Sequence, residues 1–315
     1  MLAQDYPDFE VIAVNDRSTD LTLQGIKAFE KNPRLKVLNV SELPDGWLGK
    51  NHALYQGYRA SRGEWILFTD ADVVFDKGTL MAAVKMAKIY QLDHLVLFPK
   101  LIFKSWIEIF FSHSFLLAFF RRYRPWAARN ARSKNYIGIG AFNFLRRSVY
   151  EKIGTHQKLA FEVLDDMELG KLVKQGGFKQ MAAFGKDFIS VRWVEGWQGV
   201  MKSLEKNAFA GVDFSIMFLL MITTATILFD VLPFVLVFFA HGTVFKLCLA
   251  TLFYILGVYL ATFKTNHWSL LIFPFHSVGF GLLLVVIWRS ALRVIKEGGI
   301  RWRDTFYPLN RLRRS

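Results

Sequence analysis

Three apolar stretches towards the C-terminal end constrain the fold of this chain more than any other feature. They cover about residues 214–240, 243–263 and 268–288, and each is long enough to cross a bilayer. Backbone in hydrocarbon must satisfy its own hydrogen bonds, so each stretch is expected to be helical. Asp230 and Pro233 interrupt the first stretch and indicate a kink or a polar contact inside the bundle. We predict about three transmembrane helices over residues 212–289.

A basic, membrane-proximal tail, residues 290–315, follows the last apolar stretch. Anionic lipid headgroups explain this position. The net charge of +14 is accompanied by no helix-turn-helix, zinc-finger or RNA-recognition signature, so no nucleic-acid partner is expected. Three spans would place the tail opposite the N-terminal domain, whereas the positive-inside rule places it in the cytoplasm. A hairpin or a re-entrant segment would remove this conflict. The single cysteine, Cys248, excludes an intrachain disulfide.

The first 211 residues alternate short apolar runs with helical patterns. The runs cover about residues 10–14, 35–40, 65–68 and 94–98. Such alternation predicts an α/β domain with a mostly parallel, Rossmann-like sheet and helices on both faces. Ligands of such sheets bind at the carboxyl ends of the strands.

An aromatic-rich apolar run at about 106–120 is too short to span a bilayer comfortably. Arg121, Arg122, Arg124 and Trp126 follow it directly. Flanking basic and aromatic residues favour a helix that lies in the membrane interface, and a buried core helix is the alternative.

Two acids, Asp70 and Asp72, follow the apolar run at 65–68. Carboxylate oxygens at the end of a buried strand suit Mg²⁺ or Mn²⁺ held together with a substrate diphosphate. A strand followed by an Asx-rich turn accounts for the same residues.

Two further candidates lie near other strand ends and helix starts. Asp16 follows the first strand, where a carboxylate accepts hydrogen bonds from a base or ribose; helix capping is the alternative for this turn. Lys50 stands in a glycine-bearing loop that opens a helix, where its ammonium and the helix amides attract a phosphate. A solvated lysine is the alternative.

Later in the chain, Asp165, Asp166 and Glu168 open a predicted helix. An acid near a metal–diphosphate site can act as a general base, and an acidic first turn that complements the helix dipole is the alternative. Arg192 can bind a diphosphate as a rigid fork, and Trp193 can stack on a sugar face; a surface strand is the alternative.

Taken in order, these motifs resemble family 2 glycosyltransferases of the GT-A fold, over about residues 4–210. The matching segments are 14–20 (VNDRSTD), 49–54 (GKNHAL), 63–64 (GE), 69–72 (TDAD), 138–143 (GIGAFN), 147–154 (RSVYEKIG), 165–170 (DDMELG) and 177–178 (GF). The apolar stretches and residues 299–308 are similar to membrane-bound members, including hopene-associated and carotenoid glycosyltransferases.

The resemblance implies a role for each matching residue. Asp16 would contact the nucleotide with Lys50 nearby, and Asp70 and Asp72 would hold the metal and the donor diphosphate. Asp166 would be the catalytic base. Arg192 and Trp193 loosely match a Gln-x-x-Arg-Trp motif of processive members.

The sequence departs from the family pattern at three points. Asp165 replaces the usual Glu before the base, and Ile189 stands where processive members have Gln. The family's usual first strand is not found ahead of residue 10, so we expect a sheet that lacks a central strand and part of the nucleotide pocket.

The expected function is an inverting, metal-dependent transfer of a sugar from a UDP- or GDP-sugar to a lipid or polyprenoid acceptor. The expected location is the inner membrane, with several spans and a cytoplasmic catalytic domain. A catalytically impaired glycosyltransferase and a nucleotidyltransferase are the alternatives.

Overall fold

A computed structural model describes residues 1–205, 207–266, 270–302 and 305–312. The chain divides into two compact units. The first comprises Met1–Ile102 and Tyr123–Arg192, and the second comprises Phe103–Arg122 and the residues from Trp193 onward. The contacts thus divide the chain after Arg192, whereas the sequence places the boundary at residue 211. Residues 268–269 of the third apolar stretch, and 303–304 and 313–315 of the tail, lie outside the described residues.

The strands are β1 (Val11–Asp16), β2 (Leu35–Val40), β3 (Trp65–Phe68), β4 (Val74–Phe75), β5 (His94–Phe98), β6 (Lys100–Leu101), β7 (Asn143–Arg146), β8 (Gln180–Phe184), β9 (Ile189–Val191), β10 (Gly299–Trp302) and β11 (Thr305–Pro308). The α-helices are α1 (Thr22–Lys27), α2 (Gly49–Ala60), α3 (Thr79–Ile89), α4 (Trp106–Tyr123), α5 (Arg147–Lys152), α6 (Thr155–Lys158), α7 (Asp165–Gln175), α8 (Gly196–Ser203), α9 (Ile216–Thr226), α10 (Leu232–Leu236), α11 (Gly242–Asn266), α12 (His276–Glu297) and α13 (Leu309–Leu312).

The first unit is an α/β domain, as predicted, but its strands form a mixed arrangement. The largest sheet has the order β3-β7-β5-β8, in which β7 runs antiparallel to both β3 and β5, and β8 runs parallel to β5. Strands β1 and β2 pair in parallel as a separate sheet, and β4-β9-β6 form a third. Strands β3 and β5 are parallel to each other, as the alternating pattern predicts. Three of the four strands of this sheet, β3, β5 and β8, run in the same direction, so the predicted mostly parallel sheet is confirmed. Strand β7, from much later in the chain, runs antiparallel and inserts between β3 and β5.

Helices cover both faces of the main sheet. Ala83, Val84 and Ala87 of α3 pack with one set of strand side chains, which includes Phe144. The next residue, Leu145, packs with residues of α5 and α7 on the opposite face. Neighbouring strand residues point to opposite faces, so the two cores bury both sides of β7. The predicted helical layers on both faces are confirmed.

His94 lies fully buried in this sheet between two polar partners. Its Nε2 donates to Asn143 Oδ1, and its Nδ1 accepts from Gln180 Nε2 at 2.8 Å. Burial lowers the pKa of His94 to about 4. The folded protein therefore holds a neutral imidazole whose two nitrogens are both satisfied.

The second unit contains three helical segments, Ile216–Leu236, Gly242–Ala261 and Leu270–Glu297, whose length and apolar composition suffice to cross a membrane. Helix α4 packs against them, since Leu117 joins a buried cluster with Ile255, Ile272 and Phe280. Its placement in the membrane interface stays a prediction.

The interruption of the first apolar stretch has a structural counterpart. Residues Ile227–Val231 form a π-helical turn just before Pro233, and Asp230 is buried there. Asp230 Oδ1 accepts from Arg121 Nη1 at 2.6 Å and contacts His276 Nε2 at 3.0 Å. Tyr259 Oη contacts His276 Nδ1 at 3.2 Å. The polar contact that the sequence predicts at Asp230 is therefore present, and it links the three apolar helical segments to α4.

Replacement of Asp230 by Ala should lower the free energy of unfolding by roughly 1–3 kcal/mol, because the buried His276 and its neighbour Arg121 lose their shared acceptor. The measurement is thermal unfolding of the full chain in detergent. The double variant with Arg121→Ala should cost less than the sum of the two single variants. Thr251→Ala, which removes a hydroxyl bonded to Leu247 within one helix, is the control. Strict additivity would contradict the coupling.

The stability of the first unit should fall as the pH drops from about 6.5 towards 4. His94 binds a proton in the unfolded chain before it does so in the folded one, so acid favours unfolding by on the order of 3 kcal/mol. The His94→Gln variant should show a shallower fall over this window. Equal pH slopes of the free energy of unfolding for the two proteins would refute the assignment.

Candidate active site

One lysine and three aspartates converge in the first unit. Lys50 Nζ, in the first turn of α2, lies 3.3 Å from Asp70 Oδ1 and 3.2 Å from Asp165 Oδ1. Asp70 follows the end of β3, and Asp165 and Asp166 open α7. A small pocket brings these residues together, with the lining Lys50, Leu54, Phe68, Thr69, Asp70, Gly140, Asn143, His156, Asp165, Asp166 and Leu169.

The electrostatics of this group are set by one cation among several carboxylates. Burial alone would lower the pKa of Lys50, but the charges of Asp165, Asp70 and Asp166 outweigh it and raise that pKa. Burial, opposed by Lys50, raises the pKa values of Asp165 and Asp166. Lys50 therefore stays protonated at neutral pH and offsets part of the repulsion among the acids.

The pairing of β3 with β7 places Asp70 beside Gly140. Phe68 lies opposite Asn143 at the end of this pairing, and the Asp70 N–H donates to the Gly140 carbonyl at 2.9 Å. The Gly140 N–H donates in turn to Asp166 Oδ2 at 2.7 Å. A Cβ on Gly140 would collide with Asp70 Oδ2. Gly140 thus sits between the two acids, and a side chain at this position would displace the Asp70 carboxylate.

Two more glycines set the position of α7. A Cβ on Gly138 would collide with the Asp166 carbonyl, and a Cβ on Gly170 would collide with the Ile137 carbonyl. This close approach brings the first turn of α7 against the segment before β7. No individual role was predicted from the sequence for Gly138 or Gly170. The Gly-x-Gly pattern of Gly138 and Gly140 is nevertheless typical of a close backbone approach.

Asn51 is a second residue whose part the sequence reasoning missed. It is fully buried, and its Nδ2 donates to the carbonyls of Leu159 at 2.6 Å and Glu162 at 2.9 Å. The Leu48 N–H also donates to the Ala160 carbonyl at 2.7 Å. The start of α2, which carries Lys50, is therefore tied to the segment that leads into Asp165. The position of Asn51 directly after Lys50 was the sequence feature that could have indicated this role.

His156 lines the pocket and contacts Tyr150, which is not a lining residue. The Tyr150 hydroxyl and His156 Nδ1 are 2.6 Å apart, and the ring of Phe68 packs edge-on against His156. Burial, followed by the charge of Lys50, lowers the pKa of His156 to about 3. The imidazole is therefore neutral and structural at physiological pH.

Asp16 lies against the start of the lysine-bearing helix. It ends β1, forms an ion pair with Arg17 at 2.9 Å, and a Cβ on Gly49 would lie 2.8 Å from its Oδ2. Asp16 is thus next to the residue that precedes Lys50, although it does not line the pocket. Its contact with a nucleotide stays a prediction.

Asp72 is exposed, two residues beyond Asp70. Partial burial and the negative charge of Asp70 raise its pKa, so the two carboxylates are close enough to repel. Within the described ranges of the chain, no cluster of three or more His, Cys, Asp and Glu side chains suits a metal ion. Two carboxylates still fit Mg²⁺ or Mn²⁺ when substrate phosphates complete the coordination, because such ions are commonly held in this way.

Arg192 and Trp193 stand at the boundary between the two units, Arg192 as the last described residue of the first and Trp193 in the second. Arg192 follows β9 and is not among the residues that line the pocket. Trp193 belongs to the second unit, where its ring packs against Phe111 and, at 4.5 Å between centroids, Phe115. Their proposed contacts with a donor stay predictions.

Comparison with known proteins finds one matching family and several similar glycosyltransferases. The description Glycosyl transferase family 2 matches residues 1–154. TarS of Staphylococcus aureus strain Mu50, a poly(ribitol-phosphate) β-N-acetylglucosaminyltransferase, is 38% identical over 98 residues, which are 30% of this chain and 16% of TarS. The 4,4'-diaponeurosporenoate glycosyltransferase of S. aureus strain USA300 is 26% identical over 216 residues, 67% of this chain and 56% of the relative.

Among solved structures, S. aureus TarS 1–349 in complex with UDP-GlcNAc aligns with a TM-score of 0.43 and 16% identity, over 98% of this chain and 90% of that one. The chain spans less than two thirds of the length of the two curated relatives described above. The match of residues 1–154 to the family 2 glycosyltransferases supports the resemblance that the motifs predict.

Gly140→Ala should strongly reduce turnover while the protein stays folded, because the added methyl group displaces the Asp70 carboxylate. The measurement is sugar transfer or donor hydrolysis beside a thermal unfolding curve. Gly25→Ala is the matched control, since nothing lies within 4 Å of its added Cβ. Full activity of Gly140→Ala would rule out the proposed geometry of the two acids.

Proposed function

We propose that this protein transfers a sugar from a nucleotide-sugar to an acceptor hydroxyl at a membrane, with inversion at the anomeric carbon. The observation that carries the proposal is the junction at Gly140, whose carbonyl and N–H hold Asp70 and Asp166 on either side of one backbone unit. A donor-side acid and a candidate base are thereby kept at a short, constant separation in a domain of the matching family.

The donor side of the site comprises Asp70, Asp72, Lys50 and Asp16. Asp70 and Asp72 would hold Mg²⁺ or Mn²⁺ together with the donor diphosphate. When bound, the metal supplies charge neutralisation for the diphosphate leaving group. Lys50 lies 3.3 Å from Asp70 and adds a second positive charge. Asp16 packs beside the start of α2 and is the candidate contact for the base or ribose of a UDP- or GDP-sugar.

The acceptor side is assigned to Asp166. Its Oδ2 is held by the Gly140 N–H and its Oδ1 by its neighbour's N–H, that of Met167, at 2.8 Å. Its raised pKa makes the ionised carboxylate a better proton acceptor. The acceptor oxygen attacks the anomeric carbon as the bond to the diphosphate breaks. The electron pair of that bond leaves with the diphosphate, and the hydroxyl proton passes to Asp166.

A lipid or polyprenoid is the proposed acceptor class. The diaponeurosporenoate glycosyltransferase is named for an apolar carotenoid acid, and it is similar to this chain over 216 residues. The three apolar helices would hold the protein in a bilayer, where such acceptors are concentrated. The proposed location is the inner membrane, with several spans and the catalytic domain in the cytoplasm.

Asp166→Asn should leave donor binding intact and reduce the rate of transfer by about 10²–10⁴-fold, because a positioned base typically contributes that much. The full chain in detergent is titrated with UDP- and GDP-sugars in the presence of Mg²⁺, Mn²⁺ or a chelator. Transfer is then measured with a lipid extract as the acceptor.

Two further variants complete this experiment. Asp72→Ala should lose metal-dependent donor binding, whereas Asp187→Asn, at an exposed acid outside the pocket, should behave as the parent protein. Undiminished transfer by folded Asp166→Asn would overturn the base assignment. Equal donor binding with metal and with chelator would overturn the metal assignment.

A further inference from the structure

Residues 124–134, here called the basic segment, carry an exposed and unbalanced positive charge. Arg124, Arg129, Arg132 and Lys134 are all exposed, and the segment contains no acidic residue. Trp126 stands among these cations with 66% of its surface exposed. The exposed cations and Trp126 of the segment do not line the pocket, so their presence calls for another explanation.

The basic segment is an ordered element rather than a loose loop. Pro125 and Ala128 of its 3₁₀ turn are buried. Lys174 Nζ donates to the carbonyls of Ala128 and Asn130, both at 2.7 Å. The Asn135 amide donates to the Tyr123 carbonyl at 3.0 Å and closes the ends of the segment. The cations and Trp126 are therefore presented from a backbone that is already ordered before any partner binds.

The chain connects this segment to the apolar unit. Helix α4 ends at Tyr123, and its Leu117 packs with Phe280 of α12. Three residues of extended chain span at most about 11 Å, so Trp126 is tethered close to the end of α4. This short covalent tether makes a bilayer that holds the apolar helices a candidate surface for the segment.

We infer that the basic segment docks the α/β unit on the anionic phospholipid headgroups of the bilayer. The guanidinium groups would pair with lipid phosphates, for which their planar forks are well suited. Trp126 would enter the interfacial layer, where tryptophan side chains are enriched. A bilayer fits better than an acidic protein surface, since an ordered turn with an exposed Trp amid cations combines both features of interfacial anchoring. This inference does not depend on sugar transfer.

The test is hydrogen–deuterium exchange of the full chain in nanodiscs. One set contains phosphatidylcholine alone and the other a mixture with phosphatidylglycerol. Amides of residues 124–135 should exchange several-fold more slowly in the anionic discs, and added salt should remove the difference because it screens exposed charges. A peptide from α1, which is exposed and lies elsewhere on the unit, should exchange equally in both.

A pair of charge-matched variants makes the result specific. The variant Arg124→Gln, Arg129→Gln, Arg132→Gln and Lys134→Gln should lose the lipid-dependent protection. The variant Lys27→Gln, Lys31→Gln, Lys85→Gln and Lys88→Gln removes the same charge at exposed positions and should retain it. Thermal unfolding curves establish that both variants are folded.

Three outcomes would overturn the inference. The first is equal exchange of the segment in neutral and anionic discs. The second is protection that persists in the folded variant lacking the four cations. The third is protection by inorganic phosphate in neutral discs to the same extent as by phosphatidylglycerol, which would assign the segment to a soluble phosphate ligand instead.

Discussion

The charge of Lys50 is the feature on which the pocket depends. Two carboxylates 4 Å apart repel by about 4 kcal/mol at the effective dielectric constant near a protein surface. Lys50 contacts Asp70 and Asp165, and its charge opposes the rise that burial causes in the pKa of Asp166, so it offsets this repulsion for three acids at once. The negative charge that Lys50 does not balance lies at the pocket, where it would attract the metal ion of a metal-bound diphosphate.

Backbone contacts hold the acids close to Lys50, so that its charge can offset theirs. Gly140 joins Asp70 to Asp166 through its two polar backbone groups, and Gly138 and Gly170 allow α7 to approach the segment before β7. Asn51 ties the helix of Lys50 to the segment that enters α7. The three chain regions of the pocket are therefore coupled by short hydrogen bonds and by close backbone packing rather than by side-chain packing alone.

Local sequence patterns were sufficient for several parts of this description. The alternation of apolar runs predicted the α/β class and both helical layers. The acidic pair after β3 was predicted as candidate metal ligands, and the acids that open α7 were predicted to supply a general base. The antiparallel strand of this sheet was not predicted, because β7 lies far along the chain from β3 and β5, and local periodicity does not record such pairing. The grouping of α4 with the apolar helices was equally beyond a local pattern, since it depends on contacts of Leu117 with residues more than a hundred positions later.

Residue type and spacing thus predicted a set of candidate site residues, Asp70, Asp72, Asp166 and Lys50, whose charges suit a metal and a diphosphate. They also identified the helices able to cross a bilayer, because hydrophobicity over about 20 residues is a local property. The separation of Asp70 from Asp166 by one glycine, and the burial of Asp230 against Arg121 and His276, arise only when distant segments pack. Those contacts depend on the excluded volume and hydrogen bonding of the folded backbone, which no single segment of the chain contains.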